Sequence, residues 1–214
     1  MKKREKRIFL RGMLLLTLFA MWTALIQMVD VQCVGPGGTE IGFAALNVWF
    51  HRLTGVHWLI YTVTDWLGLV PVLVCIGFAA AGLIQLIRRK SLLKVDSDII
   101  LLGIYYILVI AAYLYFEVNP VNYRPVLIEG RLEASYPSST TLLVLSVMPT
   151  LAFQARRRLQ SERAASGIAV ISRLFSVLMV IGRLVSGVHW LTDIMGSVLL
   201  SMGLFCIYKA SVVR

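Results

Sequence analysis

His189 and Asp193 are the residues whose types and spacing are best suited to catalysis, in the segment GRLVSGVHWLTD at 182–193. Four residues apart, they would lie on one face of a helix. The carboxylate would accept a hydrogen bond from one ring nitrogen of the histidine and leave the other nitrogen free as a nucleophile. Arg183 lies six residues before the histidine, and a guanidinium binds phosphate through two parallel hydrogen bonds. Together the three residues predict phosphoryl chemistry, although an interfacial histidine near an aspartate is more often structural.

A second polar segment, YPSSTT at 136–141, has the composition of a helix N-terminus. Proline is favoured in the first turn of a helix and hydroxyl residues are favoured just before it. The free N–H groups of such a turn bind anions. Ser138, Ser139 and Thr140 are therefore candidate phosphate-binding residues, with simple helix capping as the alternative. Upstream, the segment NPVNYRPVLIEGR at 119–131 contains Arg124.

Taken in order, these three segments resemble the motifs of the type 2 phosphatidic acid phosphatase superfamily, the lipid phosphatases related to vanadium haloperoxidases. The family pattern is Lys-x6-Arg-Pro, then Pro-Ser-Gly-His, then Ser-Arg-x5-His-x3-Asp. The matching residues, in chain order, are Arg124, Pro125, Pro137, Ser138, Arg183, His189 and Asp193.

The resemblance implies a role for each matching side chain. His189 would be the nucleophile that forms a phosphohistidine, and Asp193 would orient it. Arg124 and Arg183 would hold the phosphoryl oxygens, together with the backbone N–H groups that follow Pro137, and such fixed donors are the main expected source of catalysis. The reaction implied needs no metal and no cofactor.

Two positions depart from the family pattern. Glu117 stands where the family has lysine, seven residues before Arg124. We expect it to pair with Arg124 or Arg183, or to be a simple interfacial charge. Thr140 stands where the family histidine would protonate the leaving alcohol. Losing general acid catalysis costs about 10²–10⁴-fold, unless the leaving group needs little protonation, as in a diphosphate. Gly182 replaces the family serine, which is a milder change.

The pentapeptide GVHWL occurs twice, at 55–59 and at 187–191. In the first copy Asp65 lies eight residues after His57, about 12 Å along a helix, so the pair predicted for the second copy cannot form there. We interpret His57 as part of an interfacial aromatic segment. The alternative hypothesis is that His57 or His51 supplies the missing general acid.

The composition places most of this chain in a membrane. Of its residues 58% are hydrophobic and 15% are charged, with a mean hydropathy of +0.80, whereas soluble domains carry about a quarter charged residues. The net charge of +10 is clustered between apolar runs, which is typical of membrane topology and excludes a nucleic-acid groove binder. The three cysteines show no paired spacing, so neither a disulfide framework nor a metal site is indicated.

Six apolar runs are long enough to span a bilayer and too continuous for barrel strands. They predict an all-α, polytopic bundle of six transmembrane helices in one domain, 1–214. The runs are roughly 8–29, 66–87, 99–116, 137–154, 167–185 and 190–208.

Basic clusters at 2–7, 88–90 and 156–158 predict that both termini are cytoplasmic. The first run is interpreted as a retained helix rather than a cleaved signal peptide. The segment EIGFAALNVWFHRL at 40–53 predicts a short helix lying on the membrane. Arg173, inside the fifth run, is interpreted as a snorkelling residue, with a functional role in the membrane as the alternative.

The expected function is metal-independent hydrolysis of a lipid phosphate or diphosphate at the outer face of a bacterial plasma membrane. Undecaprenyl diphosphate, phosphatidylglycerol phosphate and phosphatidic acid are the candidate substrates. The alternatives are a catalytically weak relative that binds or transports phosphorylated lipid, and a phosphotransferase. Thr140 and Glu117 are the residues that favour the weak relative.

Overall fold

The computed structural model of the chain describes residues 3–213 and is all-helical apart from loops and isolated β-bridges. Lys2 and Arg214, which belong to the predicted basic ends of the chain, lie outside the described residues. The helices are α1 (Lys3–Ile26), α2 (Ala44–Thr54), α3 (Trp58–Leu67), α4 (Leu69–Arg89), α5 (Ser97–Val118), α6 (Ser139–Arg158), α7 (Glu162–Val185) and α8 (Leu191–Val212).

Five stretches of the described chain are long and apolar enough to cross a membrane, which confirms a multi-pass membrane protein. They are α1, the α3–α4 pair read as one stretch over Trp58–Arg89, α5, α7 and α8. The sixth predicted span is the helix α6, whose inward face carries the buried polar residues Thr141, Ser146, Thr150 and Gln154. These residues lower its apolar character, and its crossing of the membrane stays a prediction.

Helix α8 occupies the centre of the bundle. Half of its most apolar window is buried, and α1, α2, α5, α6 and α7 all pack against it. One core cluster joins α8 to α5 and α6 through Leu102, Tyr105, Leu142 and Leu200. The N-terminal end of α8 is therefore held from several sides, which makes it a rigid support for side chains at that end.

The predicted surface helix at 40–53 is present as α2. A turn then leads directly into α3, which extends the second predicted span toward the N-terminus as far as Trp58. Gly68 separates α3 from α4. Because α3 packs against α7, the start of α3 lies beside the turn that joins α7 to α8.

The opposite end of the bundle is tied by ion pairs. Arg158 at the end of α6 contacts Asp96 at 3.1 Å and Asp98 at 2.7 Å. Arg89 at the end of α4 contacts the same Asp96 at 2.7 Å. Hydrogen bonds from Arg89 and then Arg158 lower the pKa of Asp96 to about 2. The network joins α4, α5 and α6 at the end of the bundle remote from Arg124, Arg183 and His189.

Candidate active site

His189 lies in the turn between α7 and α8 rather than on a helix. The turn runs from Ser186 to Trp190, and α8 begins at Leu191. The expectation that His189 and Asp193 share one helical face was therefore wrong in its geometry, because Gly187 at φ 71° ends the helical path before the histidine. The turn nevertheless brings the two side chains together, with His189 Nδ1 3.6 Å from Asp193 Oδ2.

Asp193 is fully buried in the first turn of α8 and is held by two donors. The backbone N–H of Trp190 donates to Oδ2 at 2.9 Å, which caps the helix. The side-chain amide of Asn122 donates to Oδ1 at 3.1 Å. A carboxylate fixed in this way holds a defined position behind the imidazole ring.

Two guanidinium groups meet the other ring nitrogen of His189. Arg124 Nη1 lies 3.3 Å and Arg183 Nη2 3.2 Å from Nε2. A guanidinium can only donate, so Nε2 accepts both hydrogen bonds and the proton of the neutral ring is on Nδ1, toward Asp193. The arrangement leaves the Nε2 lone pair on the side of the two cations.

The histidine is neutral over the ordinary pH range. Burial lowers the pKa of His189 well below 6.5, and the charges of Arg124 and Arg183 lower it further. His189 is only 3% exposed. A neutral imidazole retains the lone pair that a nucleophile requires.

Both arginines are buried and each has one carboxylate partner. Arg124 Nε lies 3.0 Å from Glu133 Oε2, and Arg183 Nη1 lies 3.6 Å from Asp65 Oδ1. The carboxylates that pair with Arg124 and Arg183 are thus Glu133 and Asp65, whereas Glu117 was the partner expected from the sequence. Nε of Arg183 has neither a hydrogen-bond nor an ion-pair partner within the described chain, and Nε of Arg124 and Nη1 of Arg183 meet their carboxylates without forming hydrogen bonds. Buried donors of this kind are normally satisfied, so the arginines have capacity for an anion.

The loop before α6 places Arg124. Tyr123 forms an antiparallel bridge with Ala134, and the backbone N–H of Arg124 donates to the carbonyl of Glu133 at 3.0 Å. These contacts fold the segment back on itself and set Arg124 and Glu133 side by side. The indole N–H of Trp190 donates to the Tyr123 carbonyl at 2.7 Å, which fixes the loop over the turn that carries the nucleophile candidate.

A polar pocket of about 240 Å³ opens above His189 and Arg124. Ser139, the first residue of α6, also lines it, and so does Glu117. The predicted residue Ser138 is buried behind the pocket and donates to the hydroxyl of Thr141 at 3.1 Å. Of the three hydroxyl residues predicted to bind phosphate, Ser139 is the one that lines the pocket.

Thr140 lines a neighbouring apolar groove instead of the pocket. This lateral groove, about 300 Å³, lies between the α3–α4 junction, α5 and α6 and includes Gly68, Val109 and Leu143. The groove and the pocket share Tyr113 and Ser139. The two cavities are therefore adjacent at the N-terminus of α6.

The two other histidines lie beside the turn and outside the residues that line the pocket. The ring of exposed His57 contacts the carbonyl of Thr54, 2.8 Å from Nε2. His51 Nε2 lies 3.1 Å from the carbonyl of Gly187, and its ring is 5.5 Å from that of Trp190. The hypothesis that one of them is the general acid stays a prediction.

Several site residues were missed by sequence reasoning. Asn122 lies two residues before Arg124 in a motif already singled out, so its position was a usable signal. Asp65 and Glu133 pair with arginines far away in sequence, and Tyr61 places its ring 5.0 Å from the Arg183 guanidinium. Their roles depend on how α3 and the 119–138 loop pack, which spacing alone does not reveal.

Comparisons with known proteins place the fold. Residues 112–214, which contain every element of the site except α3, match the family model described as the PAP2 superfamily. The fold is similar to the crystal structure of a transmembrane PAP2-type phosphatidylglycerolphosphate phosphatase from Bacillus subtilis, with a TM-score of 0.63 and 18% sequence identity. That similarity covers 93% of this chain and 94% of the other. No curated protein sequence matches the chain significantly.

Proposed function

Because the chain belongs to the PAP2 superfamily, we propose that it is a lipid phosphatase or diphosphatase that acts through a phosphohistidine. The observation that carries the proposal is the placement of His189 Nε2 against Arg124 and Arg183, at 3.3 and 3.2 Å, at the floor of a polar pocket. A neutral nucleophile between two cations suits a phosphoryl group, because the same donors bind its oxygens as negative charge develops.

In the proposed first step, the phosphoryl group displaces the histidine from the two guanidinium groups. Their N–H donors turn to the phosphoryl oxygens, and the Nε2 lone pair attacks phosphorus. The P–Nε2 bond forms while the P–O bond to the leaving group breaks. Asp193 stabilises the positive charge that grows on the ring through the Nδ1 proton.

In the second step, water attacks the phosphohistidine, the P–Nε2 bond breaks and inorganic phosphate is released. The electron pair of the P–Nε2 bond returns to His189, which is again neutral with its proton on Nδ1, and the proton lost by the attacking water leaves on phosphate or passes to solvent. Backbone N–H groups in the first turn of α6, at Ser139, lie at the pocket and suit the third phosphoryl oxygen.

The leaving group favoured by this site is one that needs little protonation. Thr140 lies in the lateral groove and offers the pocket no general acid. A diphosphate releases a phosphate ester, which is stabilised as an anion without a proton, whereas a monoester releases an alkoxide. We therefore favour a lipid diphosphate such as undecaprenyl diphosphate over phosphatidylglycerol phosphate and phosphatidic acid.

The lateral groove suits the hydrocarbon part of such a substrate. It is lined by Val109, Ile110, Leu142 and Leu143 and meets the pocket at Ser139. A lipid could rest its chain in this groove from within the bilayer with its phosphate over His189. Because the basic clusters lie at the other ends of the helices, we place the pocket at the outer face of the plasma membrane.

The experiment uses protein purified in detergent with a chelator of divalent cations. Undecaprenyl diphosphate, phosphatidylglycerol phosphate and phosphatidic acid are offered separately, and released phosphate is measured. We expect release to be fastest from the diphosphate and to be abolished in His189→Ala. With substrate labelled in the transferred phosphoryl group, quenching in alkaline detergent, which preserves the P–N bond, should trap label on His189, located by mass spectrometry.

A binding role is favoured by one observation, the carboxylate of Glu117 in the pocket where the family pattern has a cation. Tight binding of these lipids without phosphate release would support that role and refute the phosphatase. Transfer of the trapped phosphoryl group to an added lipid alcohol instead of water would identify a phosphotransferase. External cysteine labelling near Glu129 but not near Gln160 would support the proposed sidedness, and the reverse pattern would refute it.

A further inference from the structure

A second large groove lies at the opposite end of the bundle from the pocket. It has a volume of about 460 Å³ and is formed by the C-terminal part of α6, the middle of α7 and the end of α8. Its walls are largely apolar and include Leu145, Phe153, Val177 and Phe205. Because α7 and α8 are long and apolar enough to cross the membrane, a groove between them opens toward lipid.

Three cations line this basic groove, Arg156, Arg173 and Lys209. The next two arginines on α6, Arg157 and Arg158, pair with the carboxylate of Asp98. Within the described chain, no ion pair joins a carboxylate to any of the three groove cations, and no carboxylate lines the groove. The ammonium group of Lys209 lies 5.9 Å from the centre of the Phe153 ring, and cations without a carboxylate partner along an apolar wall in a membrane favour an anion beside them.

The depths of the three cations suit a phospholipid. Arg156 and Lys209 lie two and three residues before the ends of their helices, close to the expected level of lipid headgroups. Arg173 lies eleven residues into α7, about 16 Å along the helix. Its long side chain can extend along the groove toward the level of the other two, and all three cations line the same groove.

A buried hydroxyl in the same groove lacks a partner. Ser172 is 2% exposed and lines the groove, and its Oγ has no hydrogen-bond partner within the described chain. Leaving a buried polar group unpaired costs about 1–3 kcal/mol, which is why such groups normally have a partner. An oxygen of a molecule in the groove would satisfy it.

We propose that the basic groove is a binding site for an anionic phospholipid of the leaflet opposite the active site. The lipid phosphate lies against Arg156, Arg173 and Lys209, an ester oxygen accepts the Ser172 hydrogen bond, and one acyl chain runs along the apolar wall. The site is separate from the pocket at His189, and the inference does not depend on the proposed reaction. A lipid held there joins α6 to α7 and α8.

The test measures lipid binding to the full-length, delipidated protein by native mass spectrometry. Phosphatidylglycerol and phosphatidylcholine with identical acyl chains are compared, with inorganic phosphate as a third ligand. We expect phosphatidylglycerol to be retained in preference to phosphatidylcholine. The triple variant Arg156→Gln, Arg173→Gln, Lys209→Gln should bind it about 100-fold more weakly.

A matched control removes three other cations from the same end of the protein, with Arg88→Gln, Lys90→Gln and Arg163→Gln. These residues are exposed and do not line the groove, so the control should bind phosphatidylglycerol as the wild type does. Equal losses in the two triple variants would overturn the proposal, because they would indicate a non-specific effect of charge. Equal retention of phosphatidylcholine, or equally tight binding of inorganic phosphate, would overturn it as well.

Val177→Trp fills the groove from an exposed position and keeps every cation. This variant should weaken phosphatidylglycerol binding, and it tests the proposal even if the triple variant does not fold. Unchanged binding would refute the placement of an acyl chain in the groove. Arg124→Gln, which alters the pocket at the other end, should leave phosphatidylglycerol binding intact. Loss of binding in that variant would assign the lipid to the pocket instead.

Discussion

The two GVHWL turns share five residues and a left-handed glycine but have opposite environments. Each follows a helix, α2 or α7, and leads into another, α3 or α8. The glycines Gly55 and Gly187 have φ angles of 69° and 71°. In the first turn Trp58 is 50% exposed, whereas Trp190 in the second is 4% exposed. Identical residues thus do not determine what covers the turn, nor where the next helix begins, which is at Trp58 in the first copy and at Leu191 in the second.

The difference comes from the surrounding chain. The loop at 119–138 folds over the second turn through the hydrogen bond from Trp190 to Tyr123. The first turn serves the second as a support, because the N–H of His57 donates to the Ser186 carbonyl at 3.0 Å. Tyr61, four residues after His57, contacts Arg183 with its ring, whereas the equivalent position after His189 is Asp193. The second copy is enclosed and carries a histidine that lines the pocket, whereas the first is more exposed and packs against the second.

The pair of histidines gives the largest expected difference between the turns. His189→Ala removes the proposed nucleophile, and phosphate release should fall by about 10⁴-fold or more. His57→Gln and His51→Gln should keep the wild-type rate, since neither ring lines the pocket. Release from the active lipid substrate is the measurement. A large loss in His57→Gln or His51→Gln would break the comparison and support the hypothesis of a substitute general acid.

The two glycines test the contact between the turns. A Cβ on Gly187 would lie 1.9 Å from the carbonyl oxygen of Gly55, so Gly187→Ala must displace backbone and should cost more than about 3 kcal/mol. A Cβ on Gly55 meets no atom within 4 Å, and Gly55→Ala should cost only the backbone strain of about 1–3 kcal/mol. Thermal unfolding in detergent compares them. Equal Tm values for the two variants would contradict the packing described.

The arginines before each histidine sharpen the comparison further. Arg183 is 1% exposed and contacts His189, and Arg183→Lys replaces a planar set of donors by a point charge. We expect kcat/KM to fall by about 10²-fold. Exposed Arg52 precedes His57 by five residues, and Arg52→Lys should leave kcat/KM unchanged. Similar losses in the two variants would indicate that both turns contribute donors to the substrate.

The smallest expected effect is a shift of pH dependence. Burial and the two arginine charges hold the pKa of His189 well below 6.5. The neutral ring is the active form, so its contribution to kcat/KM persists below pH 6.5 and is lost only as pH falls through the lowered pKa. In Arg124→Gln one of the charges is gone, and the acidic limb should move to higher pH. The pH profiles of kcat/KM for the wild type and Arg124→Gln are measured on the same substrate, so that ionisation of the substrate affects both equally. An acidic limb at the same pH in both proteins would argue against His189 as the titrating group.

Much of the fold could be predicted from composition and apolar runs, because about 20 apolar residues in a row have few alternatives in a membrane. The helices and the α2 surface segment followed from that constraint. α6 was harder, since its polar residues face inward and weaken the apolar signal. The helical pairing of His189 with Asp193 was wrong because a glycine turn intervenes.

The structure brings together Arg183, His189 and Asp193, which their spacing singled out, and Arg124, which the resemblance to the family motifs singled out. Their partners could not be predicted, because Asp65 reaches Arg183 across more than a hundred residues of sequence. Thr140 shows a related limit. Its position in the motif suggested the pocket, but the first turn of α6 rotates it toward the lateral groove.

The shared wall of pocket and lateral groove has a kinetic consequence for the proposed reaction. Since Tyr113 and Ser139 border both cavities, the two products depart into different phases, phosphate into water and the dephosphorylated lipid into the bilayer. Inhibition by phosphate then follows its molar concentration in solution, whereas inhibition by the lipid follows its mole fraction in the leaflet. Diluting vesicles of constant composition relieves the first and leaves the second unchanged.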